Sequence, residues 1–439
     1  MLNRKIFRQL EQWLASGSKK AAFLDGARQV GKTTSVREFA RRHFKYFVEV
    51  NFIKNPVARQ AFDGNLDTRT IVRNLSVMGF GPFVQGSTLV FFDEIQECPN
   101  ARTAIKFLVE DAEYSFIESG SLLGINYKGD EEGKSVVSSY PVGFETRMNV
   151  YPLDFEEFLW ACGIGQDIID VLRDSYRQQV PVPQFIHDRI MGYFRQYLIV
   201  GGMPEAVQTF VTEEDFRKVE AVHKDIVASY RDDIAKYAGK DKVLAKRVFD
   251  AIPSQLAKQD KRFVLAELEK GASRRKYEDP TQWLIDAGDA YYSFNTTNLE
   301  LPFSLYENRK LYKLYMVDTG LVSHMMLGSM QFSVLNGDLS VNGGALTENY
   351  VAAELACKGI DLHYYDRKSK QELDFIFEED GLITVLEVKS GTSYRKHSSL
   401  NAAIRDNPDR IGRAIVLGSN NVETSDSVLY LPLYMTMFL

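Results

Sequence analysis

The sequence predicts an α/β protein with more than one domain, and three observations support this. From Ala21 to about Val150, short apolar runs alternate with longer stretches of helical spacing, which is typical of a parallel sheet with crossover helices. A glycine-rich segment joins the first apolar run to the first helical stretch. The length of 439 residues exceeds that of one ordinary domain, so roughly two to four domains are expected.

Composition excludes several classes of protein. Hydrophobic residues make up 45% of the chain and charged residues 26%, as in globular rather than disordered or collagen-like proteins. The N-terminal segment has neither the apolar core nor the cleavage site of a secretory signal, and no run of about twenty apolar residues predicts a membrane span. Cys98, Cys162 and Cys357 are odd in number and far apart, which indicates neither disulfides nor a zinc cluster. We expect a cytoplasmic protein with no membrane partner.

Patterning along the chain predicts four domains. Residues 1–160 carry the α/β alternation, and residues 161–240 have helical spacing without a convincing strand, which indicates a helical lid or linker. Residues 241–330 combine short helices, one of them with a predicted start at Asp279 and the following proline, with two apparent strands, which indicates a winged-helix-like unit. Residues 331–439 return to α/β character.

The segment from Gly26 to Thr33 fits the phosphate-loop pattern GxxxxGK[ST], between a predicted strand and a predicted helix at 34–41. The glycines let the backbone wrap around a phosphate, whose oxygens accept hydrogen bonds from backbone N–H groups and from the helix N-terminus. Lys32 is expected at the β- and γ-phosphates of ATP, and the Thr33 hydroxyl at Mg²⁺. The predicted ATP contacts in this segment are Gly26, Ala27, Arg28, Gln29, Val30, Gly31, Lys32, Thr33 and Thr34. A glycine turn before a helix is the alternative, and the strand-loop-helix context favours the phosphate loop.

The apolar run from Thr88 to Phe92 ends in two acids, Asp93 and Glu94. Asp93 is expected to bind Mg²⁺, and Glu94 to polarise the water that attacks the γ-phosphate. A small-molecule kinase must keep water away from that phosphate, so the second acid favours hydrolysis over phosphoryl transfer. An apolar run followed by two acids is also typical of a buried strand that meets a turn, but the phosphate loop favours a site.

Two further residues are assigned to the nucleotide, each with an alternative. Ser119 ends the next apolar run, where it either senses the γ-phosphate with its hydroxyl or is an ordinary turn residue. Arg147 either reaches the nucleotide of a neighbouring subunit, which requires a homo-oligomer, or is a solvated arginine at the end of a strand.

A second acidic site is predicted near the C-terminus. Asp380-Gly381 is a preferred hairpin turn between two apolar runs, and its register makes Asp374 face Glu387 and Glu372 face Lys389. Facing carboxylates repel unless a cation lies between them, so Asp374 and Glu387 are expected to hold Mg²⁺ or Mn²⁺. Lys389 would then steady a phosphate charge or position a water. The alternative is a solvated sheet face with a Glu372–Lys389 ion pair.

Neighbouring segments carry residues that fit such a site. The helical segment 344–355 is expected to bring Glu348 toward the metal. The basic and aromatic residues 394–397 and the basic run 274–276 suit contacts with the backbone of DNA. An ordinary solvated surface is the alternative for each of these segments.

An ordered set of short segments gives the chain a family resemblance. These segments are GARQVGKT, FFDEIQECP, SGSLLG, YPLDFEEFLWA, GGMPEAV, YRDDIAKY, KLYMVDTGL, LTENYVAAEL, ELDF and LEVKSG. Over nearly the whole chain, the set resembles a prokaryotic family of AAA-type ATPases followed by a domain of unknown function with a restriction-endonuclease-like fold. A related archaeal family has a winged helix between these two parts, which supports that assignment by analogy.

The resemblance implies a P-loop AAA-type domain, a helical lid, a winged-helix-like segment and a restriction-endonuclease-like α/β domain. It implies ATPase roles for Lys32, Thr33, Asp93 and Glu94. It also implies that the acidic-helix, D and ExK elements of PD-(D/E)xK nucleases correspond to Glu348, Asp374, Glu387 and Lys389. The dispensable proline of that motif is replaced by Leu373.

Three functions are consistent with the sequence. In the first, a magnesium-dependent ATPase controls a DNA-directed module that cleaves phosphodiesters with a second metal site. In the second, a nucleotide-regulated binding switch uses the nuclease-like domain to bind a partner without cleavage. In the third, the phosphate loop binds nucleotide without turnover, which would require Glu94 to lie away from the loop.

Overall fold

The structure is a computed structural model that describes residues 1–111, 113–120, 143–328, 331–337, 343–367, 371–391, 393–425 and 427–439. These residues form two compact units. The N-terminal unit contains Arg4–Tyr151 and Asp286–Gly288, and the C-terminal unit contains Met1–Asn3, Pro152–Ile285 and Asp289–Leu439. In the described part of the chain, every helix is too short or too polar to cross a membrane. The division into four domains stays a prediction.

The N-terminal unit contains a five-stranded parallel sheet and its connecting helices, so the predicted α/β alternation is confirmed. Its strands are Ala21–Asp25 (β1), Tyr46–Asn51 (β2), Thr88–Asp93 (β3), Ser115–Ser119 (β4) and Glu145–Asn149 (β5). Its helices are Lys5–Ala15 (α1), Lys32–His43 (α2), Thr68–Val77 (α3) and Pro99–Asp111 (α4). Every residue of β1 and β3 is buried, as expected for central strands with helices on both faces.

The strand order of this sheet is β2-β3-β4-β1-β5. Strand β4 therefore lies between β1, which leads into the phosphate loop, and β3, which ends in Asp93. Because all five strands are parallel, their carboxyl ends meet at one edge of the sheet. Ser119, the last residue of β4, consequently lies between the phosphate loop and the acidic end of β3.

The C-terminal unit combines helices with an eight-stranded mixed sheet of order β12-β13-β11-β10-β9-β8-β6-β7. Its strands are Ala290–Thr296 (β6), Glu307–Met316 (β7), His363–Asp366 (β8), Glu372–Glu379 (β9), Leu382–Val388 (β10), Ile411–Gly418 (β11), Glu423–Ser425 (β12) and Val428–Pro432 (β13). Its helices are Phe155–Ala161 (α5), Gln166–Gln178 (α6), Gln184–Val200 (α7), Pro204–Glu213 (α8), Phe216–Tyr237 (α9), Lys242–Leu256 (α10), Arg274–Asp286 (α11), Thr319–Leu327 (α12), Gln331–Leu335 (α13), Gly343–Cys357 (α14) and Ser398–Asp406 (α15). The two strands that the sequence indicates between 241 and 330 are β6 and β7, which belong to this same sheet.

The predicted helix start at Asp279 is wrong, because α11 begins at Arg274 and contains Pro280. Pro280 lacks the N–H that would bond to the preceding turn. The helix continues through it because Tyr277 and Leu284, on either side of the proline, are both buried. Burial of these side chains outweighs the local preference of proline for a helix start.

The predicted hairpin is confirmed. Strands β9 and β10 are antiparallel, with Glu379 opposite Leu382 and Phe375 opposite Leu386. Asp380 and Gly381 both have positive φ, 52° and 79°, as the preferred two-residue turn requires. This register brings Asp374 next to Glu387.

The C-terminal unit contains a close three-way contact among the segments PLDF, GGMPE and VDTGL. Asp318 is 2% exposed, and its carboxylate accepts hydrogen bonds from the backbone N–H groups of Gly202 (2.5 Å) and Leu321 (3.0 Å). A Cβ at Gly202 would lie 2.0 Å from the backbone oxygen of Leu153. Only glycine therefore fits at this position.

Gly202→Ala is expected to lower the free energy of unfolding by about 2 kcal/mol or more, because the new methyl group must push Leu153 away from a close-packed contact. Gly192→Ala is the matched control. Gly192 lies inside α7 with no atom within 4 Å of a Cβ, so that alanine should stabilise the helix by about 0.5–1 kcal/mol. Urea unfolding followed by circular dichroism measures both changes. A Gly202→Ala protein as stable as the wild type would contradict the close contact.

Candidate functional site

The phosphate loop connects β1 to α2, and its backbone has the conformation that glycine favours. Gly26 has a φ of 144°, and Gly31, which precedes the first residue of α2, has a φ of 91°. A Cβ on Gly26 would lie 2.1 Å from the backbone oxygen of Val150. Any other residue at this position would displace the loop, which explains the first glycine of the motif. The remaining predicted ATP contacts, residues 27–34, form the loop and the first turn of α2.

Lys32 lies folded over the loop. Its Nζ donates hydrogen bonds to the backbone oxygens of Gly26 and Ala27, both at 2.7 Å. Burial lowers the pKa of Lys32, while the negative charges of Glu94, Asp25 and Asp93 oppose this shift. The ammonium is thus held at the loop by two carbonyl oxygens, which phosphate oxygens can replace because both groups are hydrogen-bond acceptors.

Asp93 brings the expected magnesium ligands together. Its carboxylate, 4% exposed, accepts hydrogen bonds from the Thr33 hydroxyl (3.2 and 3.3 Å), from Asn51 Nδ2 (2.8 Å) and from the Ser119 hydroxyl. The side chains of Thr33, Asp93 and Ser119 therefore converge at the carboxyl edge of the sheet. Asn51 was not predicted, although it ends β2 directly opposite Asp93 in the register of the sheet.

Glu94 follows Asp93 in a left-handed backbone conformation, with a φ of 57°. Such a conformation is uncommon outside glycine and costs of order 1–3 kcal/mol. Its Oε2 accepts a hydrogen bond from Gln96 Nε2 at 2.6 Å. The charge of Glu94 opposes the lowering of the Lys32 pKa by burial, more strongly than the charges of Asp25 and Asp93 do.

Arg147 is half-exposed on β5 and forms an ion pair with Asp25 of the same chain. Asp25 is the last residue of β1 and lies beside the phosphate loop. The predicted action of Arg147 on a neighbouring subunit would require this ion pair to break.

A buried network of ion pairs, which the sequence does not predict, connects α4 to β4 and β5. Arg102, on α4, is 2% exposed and donates to Glu118 Oε2 and Glu145 Oε2, each at 2.7 Å. Its guanidinium lies 4.2 Å from the centre of the Phe23 ring. Burial raises the pKa of Glu118 well above its usual value, and the Arg102 charge opposes this. Glu118 directly precedes Ser119, so the network fixes the strand end that carries Ser119.

In the C-terminal unit, the half-buried carboxylate of Asp374 lies next to the buried carboxylate of Glu387. Asp374 Oδ2 accepts a hydrogen bond from the backbone N–H of Val388 (2.8 Å), and Lys389 Nζ lies 2.6 Å from Glu387 Oε1. Glu387 is 8% exposed, and its Oε2 has no hydrogen-bond partner among the described residues. Burial and the charge of Asp374 raise the pKa of Glu387 to about 7. A divalent cation would relieve this repulsion, so the pair fits a metal.

The solvated-face alternative does not describe this hairpin. Ile376 and Val385 lie on the same face as Asp374 and Glu387, and both are buried in a core that includes Leu400 of α15. The two carboxylates therefore lie at the end of a packed face.

Glu348, on α14, is fully buried and its oxygens are already engaged. It forms ion pairs with Lys261 and Lys313 (3.1 Å) and accepts a hydrogen bond from the Tyr315 hydroxyl (2.6 Å). Burial raises its pKa, but the two lysines and these hydrogen bonds outweigh burial and hold the pKa at about 2. Burial raises the pKa of Asp374, and the negative charge of Glu348 adds to this shift.

Glu348 does not complete a three-ligand metal site with Asp374 and Glu387. Among the described residues, the acidic group whose ligand atoms all lie within 4.8 Å of one another is Asp154, Glu354 and Cys357. In that group, Asp154 accepts a hydrogen bond from the backbone of Glu157 (2.9 Å), and Glu354 accepts one from the backbone of Phe155 (2.8 Å). These carboxylates satisfy the first turn of α5.

Lys313 and Tyr315 were missed by sequence reasoning. They alternate with buried apolar residues on β7, within the segment KLYKLYM. A lysine that interrupts an apolar strand and is 0% exposed must have a carboxylate partner. The lysine in an apolar strand therefore indicates a buried ion pair. It does not identify the partner, because Glu348 is 35 residues away in the sequence.

The predicted DNA-backbone segments lie in different surroundings. In the first, Arg395 pairs with Glu423 at 2.6 Å, and His397 is buried against the Tyr430 hydroxyl at 2.8 Å. In the second, residues 274–276 form the first turn of α11, where Arg274 pairs with Glu278 at 3.1 Å. The basic side chains of both segments are thus partly balanced by acids of the same chain.

Comparison with known proteins matches three parts of the chain to family models. Residues 18–159 match an AAA domain, residues 191–331 match a domain of unknown function (DUF8612), and residues 343–435 match another domain of unknown function (DUF4143). No curated protein matches the chain. The AAA match and the phosphate loop identify the N-terminal unit as a P-loop ATPase domain of the AAA type, the kind of domain that binds ATP.

Three solved structures show distant similarity. The Walker-type ATPase PABY2304 of Pyrococcus abyssi has 12% identity and a TM-score of 0.42, over 74% of this chain and 96% of its own. The Orc1 protein of Aeropyrum pernix in complex with DNA has 13% identity and a TM-score of 0.28, over 77% and 93%. The Pif1 helicase of Candida albicans has 12% identity and a TM-score of 0.26, over 43% and 47%. Similarity this low carries no information on function.

Glu348→Gln is expected to lower the free energy of unfolding by about 3 kcal/mol, because it leaves the buried Lys313 without its buried partner. Glu372→Gln is the matched control, since Glu372 also pairs with Lys313 (3.0 Å) but its side chain is 45% exposed. That change should cost less than about 1 kcal/mol. Urea unfolding at neutral pH measures both values, and equal losses would contradict the difference in burial.

The stability difference between the wild type and Glu348→Gln is also expected to depend on pH. The pKa of Glu348 is about 2 in the folded protein, below its usual value of 4.5. The ionised carboxylate therefore stabilises the fold above pH 4.5, and this contribution disappears as the pH falls toward 2. Unfolding curves of the two proteins should converge over that range, and a constant difference would contradict the assigned ion pairs.

Proposed function

We propose that this protein is a magnesium-dependent ATPase whose C-terminal unit is a DNA-directed, metal-dependent nuclease-like module. The observation that carries the ATPase assignment is the convergence of Thr33 and Ser119 on the Asp93 carboxylate beside the phosphate loop. The match to the AAA domain supports ATP as the nucleotide.

In this proposal, the chain's own side chains divide the work of ATP hydrolysis. Thr33 and Asp93 hold Mg²⁺, which neutralises charge on the β- and γ-phosphates when bound. Lys32 exchanges its two backbone acceptors for phosphate oxygens. Glu94 orients the attacking water and accepts its proton, so that ATP and water give ADP and phosphate.

Ser119 is assigned to the γ-phosphate in the same proposal. Its hydroxyl donates to Asp93, and a magnesium ion bound to Asp93 would compete for that carboxylate. The hydroxyl is then available to donate to a phosphate oxygen instead. The buried Arg102–Glu118 pair would fix the end of β4, and with it the position of the Ser119 hydroxyl relative to the phosphate.

The order of elements in the C-terminal unit supports the restriction-endonuclease-like assignment. Helix α14, strands β8, β9 and β10, helix α15 and strand β11 follow one another, with β8–β9 and β9–β10 antiparallel and β10–β11 parallel. Asp374 and Glu387 would hold Mg²⁺ or Mn²⁺, and Lys389 would contact the phosphate that is attacked.

One observation favours the alternative of a binding switch that does not cleave. Glu348 is the third acid of the expected nuclease set, and it is engaged by two lysines and a tyrosine rather than by its two partners. A nuclease-like module with an incomplete ligand set would bind a partner without cleaving it, and nucleotide turnover would regulate that binding.

Lys32→Ala is expected to abolish ATP binding and phosphate release, because it removes the positive charge at the β- and γ-phosphates. Glu94→Gln should retain binding but reduce turnover by about 100-fold or more, since the amide cannot accept the proton of water. Fluorescent-nucleotide binding and phosphate release measure the two steps. The exposed residues Lys45 and Glu110 provide matched controls, Lys45→Ala and Glu110→Gln. Unchanged turnover in either site variant would refute the assignment.

Wild-type protein is expected to nick supercoiled plasmid DNA with Mg²⁺ or Mn²⁺, and Asp374→Ala with Glu387→Ala should abolish nicking. Glu378→Ala is the matched control, because Glu378 lies on β9 but is exposed. Agarose gels with and without ATP report cleavage. A wild type that cuts under no nucleotide condition, while still binding DNA or a protein, would support the binding switch.

A further inference from the structure

Lys313 is a buried cation between two carboxylates. Its side chain is 1% exposed, and its Nζ lies 3.1 Å from Glu348 Oε1 and 3.0 Å from Glu372 Oε1. The same ammonium lies 4.9 Å from the centre of the Tyr364 ring. A buried ammonium is strongly unfavourable unless carboxylates balance it. The ammonium of Lys313 therefore stays between Glu348 and Glu372 as long as the protein is folded.

The described part of the chain places no such cation between the neighbouring carboxylates, Asp374 and Glu387. Lys389 binds only one oxygen of Glu387, and the other, Oε2, is buried without a donor among the described residues. An orphaned carboxylate oxygen in a buried site requires a cation or a proton. The cluster thus contains one position that a lysine fills and one that remains for a metal.

We propose that this cluster binds one divalent cation rather than two. Asp374 and Glu387 hold the metal, and the ammonium of Lys313 takes the place of a second metal between Glu348 and Glu372. That the metal takes part in cleavage rests on the proposed nuclease-like function. That one metal binds rests only on these side chains.

The charge of the cluster agrees with a single metal. The four carboxylates, when ionised, exceed the three lysines Lys261, Lys313 and Lys389 by one negative charge. One divalent cation changes this excess to one positive charge, which matches the single negative charge of a phosphodiester. A second divalent cation would leave three positive charges around the buried Glu348 and Glu387, which is unfavourable without further ligands.

Mn²⁺ binding to the nucleotide-free full-length chain tests the proposal, with free Mn²⁺ measured by electron paramagnetic resonance. An Asp93→Asn background removes a ligand of the nucleotide-site metal. In that background one Mn²⁺ should bind, and Glu387→Gln should abolish it. Adding Lys313→Met should raise the number to two, because it removes the ammonium between Glu348 and Glu372 and leaves that position open to a second cation. Adding Glu372→Gln to Lys313→Met should return it to one.

Three results would each overturn the proposal. They are two bound Mn²⁺ ions with Lys313 intact, no bound Mn²⁺ ion that depends on Glu387, and only one bound Mn²⁺ ion after Lys313→Met. Circular dichroism shows whether the Lys313→Met protein folds. If it does not fold, the number of Mn²⁺ ions bound with Lys313 intact decides whether the proposal holds. Plasmid nicking by the wild type separates this inference from the proposed function. One Mn²⁺ without nicking supports the inference and removes the nuclease, whereas nicking with two Mn²⁺ does the reverse.

Discussion

Both candidate sites depend on one constraint, which is that a charge removed from water must be balanced inside the protein. In the N-terminal unit, the nearly buried Asp93 is balanced by three side-chain donors, one each from α2, β2 and β4. In the C-terminal unit, Glu348 is balanced by Lys261 and by two residues of β7. Each carboxylate keeps these partners only while the distant segments that carry them keep their positions. The site and the fold of its unit therefore stabilise each other.

The strand order determines which residues can serve the nucleotide. Because β4 lies between β1 and β3, its last residue reaches Asp93 directly. The Arg102 network then links β4 to β5 across the face of β1 through Glu118 and Glu145. These ion pairs are buried, so removal of one partner would leave an uncompensated charge at the edge that carries Ser119. The position of Ser119 is thus set by two independent interactions, one on each side of the strand end.

Local signals predicted the features whose causes are local. The phosphate loop needs glycine because Gly26 and Gly31 have positive φ values, and the hairpin register follows from two positive φ values at Asp380 and Gly381. Both constraints are contained in a few consecutive residues. The acidic end of β3 was predicted for a similar reason, since an all-buried strand must end where polar residues begin.

Features that depend on long-range pairing could not be predicted in this way. Asn51 reaches Asp93 only through the β2–β3 register, and Lys313 reaches Glu348 only through packing of α14 against β7. The placement of β6 and β7 in the same sheet as β8 is also non-local, because no short pattern specifies which distant strand pairs with which. The predicted start of α11 was wrong because the local pattern favours a helix that begins at Pro280. The helix begins earlier because its side chains are buried, and that burial depends on the tertiary structure.

The two lysines of Glu348 differ in a way that bears on how the C-terminal cluster works. The side chain of Lys313 is 1% exposed and that of Lys261 is 20% exposed. A fully buried ammonium cannot exchange its carboxylate for water without a large loss of stability, whereas a partly exposed one can. Lys261 is therefore the lysine of the two that can exchange Glu348 for water or for another anion. Lys313 then remains as the fixed counter-charge, so Glu348 stays ionised while the exposed side of the cluster changes its partner. A site with one fixed and one exchangeable cation can accept an anionic ligand without exposing an unbalanced buried carboxylate. The two proposed roles, a nuclease and a non-cleaving binding module, share this property, because both use the same acids.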